Sequence, residues 1–286
     1  MQKWLKMIAV MLVLCLAVCL TGCNKNKNSE DSSDSSSSDA VEDNTPKRKV
    51  GYILHGNAEK EGFTAQLSEK RVFAANRCGI ETCYIDNVAV TDFEAAVKAL
   101  ADAGCTDIVT GSSVFTNVLS SVSGKFMDLN FISYGAVSYS SNVSPYTEQI
   151  YQGANVAGMV ATFNSRSRKI GFIADSELVY SIPSINAAAL GAQMVLTDAK
   201  VYAAIATQDN EIRKAADELL GLGCDVIILY TSSMYGEDYL QNKGVKFISC
   251  YDFTGKEDDY SNLLMYYYCK RDSYYLAQFK SMLMAT

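Results

Sequence analysis

Arg48-Lys49-Val50-Gly51-Tyr52-Ile53 recurs 120 residues later as Arg168-Lys169-Ile170-Gly171-Phe172-Ile173. Two further echoes follow in order. Ala103-Gly104-Cys105-Thr106-Asp107-Ile108-Val109 returns as Leu222-Gly223-Cys224-Asp225-Val226-Ile227-Ile228, and Phe131-Ile132-Ser133 returns as Phe247-Ile248-Ser249. Self-similarity of this kind decides the architecture before any single residue does. A period of 116 to 120 residues is too long for a solenoid. Each half is large enough to bury its own core, so two similar lobes are expected.

Between the echoes, apolar runs alternate with helical patterns. Strands are expected at 49–54, 81–85, 106–110 and 129–134, with helices at 58–77, 91–103 and 114–122. Ser144-Pro145 is expected to open a long helix over 146–164, after which the scheme restarts. Its second round places strands at 169–174, 200–206, 225–230 and 246–250 and helices at 179–197, 209–222 and 234–242. Strands alternating with helices imply an α/β fold, each lobe a parallel sheet with helices on both faces. The expected divisions are lobe 1 at 49–145, lobe 2 at 146–252, and a strand and helix in 253–286 that return to lobe 1.

The start of the chain differs from the rest. Residues 1–22 carry Lys3 and Lys6, an apolar run from Met7 to Leu20 and then small residues, the pattern of a signal peptide. The run is too short to span a membrane. Leu20-Thr21-Gly22-Cys23 resembles the lipobox of bacterial lipoproteins, in which the cysteine is lipidated and becomes the mature N-terminus. The rest of 23–48 is mostly Ser, Asp and Asn, and is expected to be a disordered tether. A lipid-anchored body on the extracytoplasmic face of the cell membrane is the implied arrangement.

The formal charge of the 286-residue chain is −7, and loss of the two signal-peptide lysines makes it −9. An acidic body without a basic run argues against nucleic-acid partners. Nine cysteines include six beyond Cys23. Cys105 and Cys224 precede equivalent strands and are expected to be buried packing residues, while Cys78 and Cys83 could bridge in an exported protein, although neither spacing nor count demands it. With one histidine and no CxxC spacing, no metal site is expected. A serine nucleophile would have only His55 as its base, and no GxSxG elbow, GxGxxG or GxxxxGK[ST] is present. Neither catalysis nor a cofactor is expected.

Ligands of open parallel sheets bind beyond the carboxyl ends of the strands. Those ends carry His55-Gly56-Asn57, Gly111-Ser112-Ser113 with Phe115, and Tyr134 in the first half. In the second they carry Asp175-Ser176-Glu177, Thr231-Ser232-Ser233 and Tyr251-Asp252. Aromatic faces, hydroxyls, amides and carboxylates together suit a polar ring compound. Several of these residues have a second reading. Phe115 and Tyr251 either stack on ligand or plug the core. Ser112 and Ser232 either donate to ligand or cap the helices that follow them. His55 is either a ligand group or a structural one.

Tyr151-Gln152-Gly153-Ala154-Asn155-Val156-Ala157-Gly158, Lys169-Ile170-Gly171-Phe172-Ile173, Asn186-Ala187-Ala188-Ala189-Leu190-Gly191-Ala192, Gly223-Cys224-Asp225-Val226-Ile227 and Tyr251-Asp252 add a family likeness. In these stretches, their order and the lipobox, the chain resembles the basic membrane protein family of bacterial substrate-binding lipoproteins, which includes purine-nucleoside-binding members. The resemblance implies a two-lobed type I periplasmic-binding fold that acts as a monomer, takes a small-molecule ligand between its lobes and delivers it to an ABC permease. It implies that Asp252 grips ligand hydroxyls. Where the family has an Asp-x-Ser-Phe-Asn-like motif, this chain has Gly56-Asn57-Ala58-Glu59-Lys60-Glu61-Gly62-Phe63-Thr64, in which Asn57 and Phe63 stand in comparable places. Relatives generally continue for several elements beyond the position of Thr286, so either the first lobe or hinge is shortened or the sequence is a truncated one. The alternative role for the same fold is a ligand-sensing lipoprotein that feeds a signalling partner.

Overall fold

The computed structural model describes residues 48–60, 62–135, 140–175 and 180–284. The signal peptide, Cys23, nearly all of the tether, Ser176 and Glu177 lie outside the described residues.

Two five-stranded parallel sheets carry the echo. The first contains β1 (Lys49–Ile53), β2 (Glu81–Ile85), β3 (Asp107–Thr110), β4 (Asn130–Tyr134) and β5 (Val143–Tyr146), in the order β2-β1-β3-β4-β5. The second contains β6 (Lys169–Ala174), β7 (Lys200–Ile205), β8 (Val226–Tyr230), β9 (Lys246–Ser249) and β10 (Leu263–Tyr266). Its order, read from the opposite edge, is β7-β6-β8-β9-β10, so the two lobes have one topology. The central strands are covered on both faces by helices and read as continuous apolar runs; every residue of β8, Val-Ile-Ile-Leu-Tyr, is buried. Gly51 lies opposite Cys83 and Ile108, and Gly171 lies opposite Tyr202 and Ile227.

The helices of the first lobe are α1 (Phe63–Cys78), α2 (Phe93–Asp102) and α3 (Thr116–Val122). Those of the second are α4 (Tyr151–Asn164), α5 (Ser181–Val195), α6 (Asp209–Gly221) and α7 (Tyr235–Asn242). The equivalent helices α2 and α6 bury Phe93, Ala96, Val97 and Leu100 in one case and Ile212, Ala215, Ala216 and Leu219 in the other. Both sets follow the spacing of a one-sided apolar stripe. α4 and α5 contain no charged residue and pack backbone to backbone. A Cβ at Gly158 would lie 2.0 Å from the Ala188 carbonyl oxygen, and one at Gly191 would lie 1.9 Å from that of Asn155.

The structure departs from the sequence expectation in three places. Ser144-Pro145 lies within β5 and opens no helix; α4 begins at Tyr151. β5 is the outer strand of its sheet, where a residue without an N–H costs no ladder bond. α1 begins five residues later than expected. Asn57 Oδ1 takes the N–H groups of Glu59 and Lys60 at 2.8 and 2.9 Å, a local turn that competes with helix. The third difference concerns the end of the chain. β10 pairs with β9 and stays in the second sheet, and only α8 (Arg271–Met284) packs with the first lobe. There Tyr275, Phe279 and Met282 join Val50, Tyr52, Leu54, Leu67 and Ala74 in one buried cluster.

The chain thus passes between lobes at 147–150 and again at 267–270. Glu148 sits in the first passage and Arg271 just after the second. Arg271 donates to both carboxylate oxygens of Glu148, with Nη2 2.7 Å from Oε2, and both side chains are nearly buried. Burial opposes the charge on Arg271, but the facing carboxylate outweighs it and the guanidinium pKa is raised. A bidentate pair of this kind fixes geometry as well as charge.

Candidate functional site

A cavity of about 280 Å³ lies where the two sheets present their carboxyl ends to each other. The first lobe lines it with the loop after β1 and the start of α1 (His55, Gly56, Asn57, Lys60, Gly62, Phe63, Thr64), the loop after β3 (Gly111, Ser112, Ser113) and Tyr134 of β4. The second lobe contributes Asp209, Ser232 and Ser233. At its edge the lobes touch through backbone. The Phe63 N–H donates to the Ser232 carbonyl at 3.2 Å. Gly62 beside it has φ 130°, and a Cβ there would stand 2.6 Å from the same oxygen. Only glycine fits both the conformation and the approach.

Six of the residues expected from the strand ends and the Asn57 loop line this cavity: His55, Asn57, Phe63, Ser112, Tyr134 and Ser232. His55 Nδ1 is 2.9 Å from the Val88 carbonyl, which can only accept, so Nδ1 carries the proton. Asn57 has its carbonyl committed to the turn and keeps its amide hydrogens as donors. Phe63 is covered on one side by the Arg271 guanidinium, 4.5 Å from the ring centre. The Ser112 hydroxyl accepts from the Val114 N–H at 3.4 Å, a cap that leaves its own hydrogen available. Tyr134 is 1% exposed, and its hydroxyl has no hydrogen-bond partner among the described residues. Burial raises the phenol's pKa, so it remains a donor at any ordinary pH.

Asp252 stands elsewhere. It lines a second hollow of about 560 Å³, shared with Glu59, Gln66, Glu69, Lys70, Met234, Lys256 and Tyr268. Its carboxylate accepts from the Thr254 N–H at 3.0 Å and lies 3.8 Å from Lys70 Nζ. Its backbone faces Gln66 across the lobes, at 3.4 Å from the carbonyl and 3.5 Å from the N–H.

Three of the expected residues are buried and line neither hollow. Phe115 is 0% exposed and packs against Phe93 with ring centres 4.9 Å apart. Tyr251 is 1% exposed and donates its hydroxyl to the Thr231 carbonyl at 2.6 Å. Asp175 is 0% exposed. It accepts from Thr207 Oγ1 at 3.0 Å, from the Ser232 N–H at 3.3 Å and from the Ser232 hydroxyl, joining the loops after β7 and β8. These residues position the rim from beneath. An aromatic in the first turn after a strand swings into the core when the sheet face below it is apolar.

Lys60, Gly62, Thr64 and Asp209 belong to the lining and were not anticipated. Asp209 was within reach of the strand-end rule: it opens α6, four residues after β7 ends, and Ser233 donates to its Oδ1 at 2.8 Å. The cavity therefore offers two aromatic rings, several hydroxyls, one lysine and one aspartate. Among the described residues no group of three or more His, Cys, Asp or Glu side chains could hold a metal, and no helix is long and apolar enough to cross a membrane.

The model of the ABC transporter substrate-binding protein PnrA-like (Bmp) family matches residues 47–237, and the chain belongs to that family. A purine-binding protein of Brucella abortus is 30% identical over 206 residues, a match covering 70% of this chain and 59% of the relative. The chain thus spans about three fifths of that relative's length. An ABC transporter system solute-binding protein from Aeropyrum pernix K1 superposes with a TM-score of 0.72 at 13% identity, covering 83% of this chain and 71% of that one. A transcriptional activator of the comK gene from Bacillus halodurans does so with 0.69 at 16% identity, covering 83% of both chains. At such identities the likeness concerns the fold, which is the two-lobed type I periplasmic-binding fold.

Proposed function

We propose that the chain is the extracytoplasmic binding component of an ABC importer, anchored by a lipid on Cys23. It holds a small polar ring compound, a purine nucleoside before others, in the cavity between its lobes. The observation that carries this reading is the cavity itself: the loops at the carboxyl ends of both sheets line it together, with Phe63 and Tyr134 among the lining residues. Phe63 and Tyr134 offer ring faces for a base, and the hydroxyls with Asp209 offer acceptors for a ribose. Among the described residues Lys60 is the one cation of the lining and no arginine lines it, which disfavours a phosphorylated ligand. Membership of a substrate-binding family supports transport and gives no support to catalysis.

A thermal-shift screen of nucleosides, sugars and amino acids tests the proposal. At a hundred times its dissociation constant a ligand specific for the folded state adds about 2.7 kcal/mol. Phe63→Ala is expected to weaken binding roughly 2–10-fold, the loss of one stacked ring worth about 0.5–1.5 kcal/mol. A response confined to amino acids or phosphorylated compounds would overturn the nucleoside assignment.

A further inference from the structure

We propose that Cys83 and Cys105 form a disulfide that staples the outer strand of the first lobe to the turn before β3. Their sulfurs lie 3.3 Å apart, with both cysteines reduced. Cys83 is the middle residue of β2, and Cys105 ends the turn from α2. The space in which they meet is opened by Gly51. It stands opposite Cys83 in the register of β1 and β2, and a Cβ there would lie 3.1 Å from Cys105 Sγ. A disulfide needs about 2.05 Å between sulfurs, so little more than 1 Å of approach closes the bond. In the second lobe the echo places Gly171 opposite Tyr202, and among the described residues no second cysteine packs in the cluster that holds Cys224. The bridge that the sequence left open, Cys78 to Cys83, has the sheet between its ends. Cys78 packs with Tyr52 and Ala74 on one face, while Cys83 packs with Ile53, Leu100 and Cys105 on the other.

The chemistry is thiol–disulfide exchange with an external disulfide oxidant. The half-buried Cys83 loses its proton and attacks one sulfur of the oxidant, releasing one thiolate and leaving a mixed disulfide. Cys105 then loses its proton and attacks the Cys83 sulfur, releasing the second thiolate. Two thiols give up two protons and two electrons, and one oxidant disulfide becomes two thiols. Burial, reinforced by the neighbouring Cys83 thiol, pushes Cys105 up to about 12. Burial persists once Cys83 carries the oxidant, so the second step accelerates as pH rises.

Formation of this bond in the cell rests on the extracytoplasmic assignment proposed above; its formation by the purified chain does not. The full chain is reduced, equilibrated with glutathione disulfide, alkylated and mapped by peptide mass spectrometry. The expected result is a Cys83–Cys105 linked peptide and protection of two thiols, with Cys83→Ser and Cys105→Ser each exposing the other and Cys78→Ser changing nothing. The oxidised chain should melt roughly 6–12 °C above the reduced one, since the bond closes a loop of about twenty residues. Full alkylation of Cys83 and Cys105 after oxidation, or a Cys78–Cys83 peptide, would overturn the proposal. A second sample is alkylated in intact cells before lysis. A bridge that forms in the tube but is reduced in that sample leaves the staple standing and overturns the extracytoplasmic assignment.

Discussion

Ser133 and Ser249 close the same Phe-Ile-Ser strand in the two lobes and face different partners. The Ser133 hydroxyl meets that of Thr110 at 2.9 Å, whereas Ser249 donates to the Glu237 carboxyl at 2.6 Å. Asp107 opens β3 and Asp225 directly precedes β8, equivalent places whose surroundings also differ. Asp107 is held by Arg48 at 3.1 Å and by the side chains of Thr106 and Asn130. Asp225 takes the backbone N–H groups of Arg166 and Ser167 at 2.7 and 3.0 Å and the hydroxyls of Ser165 and Ser167. Burial pushes the Asp225 carboxyl up, but those bonds together hold it below the usual range. The two lobes share a backbone plan and differ in how each buried polar group is satisfied. Any donor set of adequate geometry meets that requirement, so the partner is free to vary while the strand is not.

The largest expected effect separates the cores. Phe279→Ala empties a fully buried site in the first lobe alone and should cost about 3–5 kcal/mol. Hydrogen exchange should show protection falling through β1 to β5 while β6 to β9 keep theirs. Equal loss in both sheets would mean that the lobes fold as one unit.

Next in size is Glu237, which is 0% exposed, with one carboxyl oxygen bonded to Ser249 and the other without a partner among the described residues. Burial raises its pKa from 4.5 to about 7. Below the unfolded value the group is protonated in both states and costs nothing. As pH rises from 4.5 to about 7 the unfolded chain gives up its proton and the folded chain retains it. Stability is lost across that window, by about 3 kcal/mol in all. Glu237→Gln should flatten the profile and raise the melting point at pH 8. The Ser133–Thr110 pair contains no such group, so Ser133→Ala should leave the pH profile unaltered. A Gln variant that retains the wild-type profile would remove the contrast.

The smallest effect concerns the echoed arginines. Arg48 reaches the nearly buried Asp107, while Arg168 reaches Asp198, both members of that pair being more than half exposed. Arg48→Met should cost about 1 kcal/mol, and Arg168→Met should be within error in urea titrations. Equal costs would show that the buried aspartate draws nothing from its cation.

Much of this architecture was legible because duplication repeats the strands, whose apolar runs are the least ambiguous signal in the chain. The rim of the cavity was legible through the strand ends, as His55, Ser112, Tyr134 and Ser232 illustrate. What was hidden depends on depth and partner. Phe115 and Tyr251 carry the same signal as Phe63, and only packing separates core from lining. Asp252 and Asp209 are both acids at strand ends, and the approach of Gln66 and Lys70 decides which hollow each one faces. Pro145 suits a helix start and an outer strand equally, and the pairing with β4 settles it.

The placement of α8 has a consequence for timing. The second lobe takes its sheet from one uninterrupted stretch, β6 to β10. The first lobe needs Tyr275, Phe279 and Met282, which follow the entire second sheet in the chain. A chain emerging from its N-terminus can close the second lobe while the first still shows an apolar face to water. Any factor that shields nascent chains therefore has its task on the first lobe, for as long as the second takes to be made. The half that starts first is finished last.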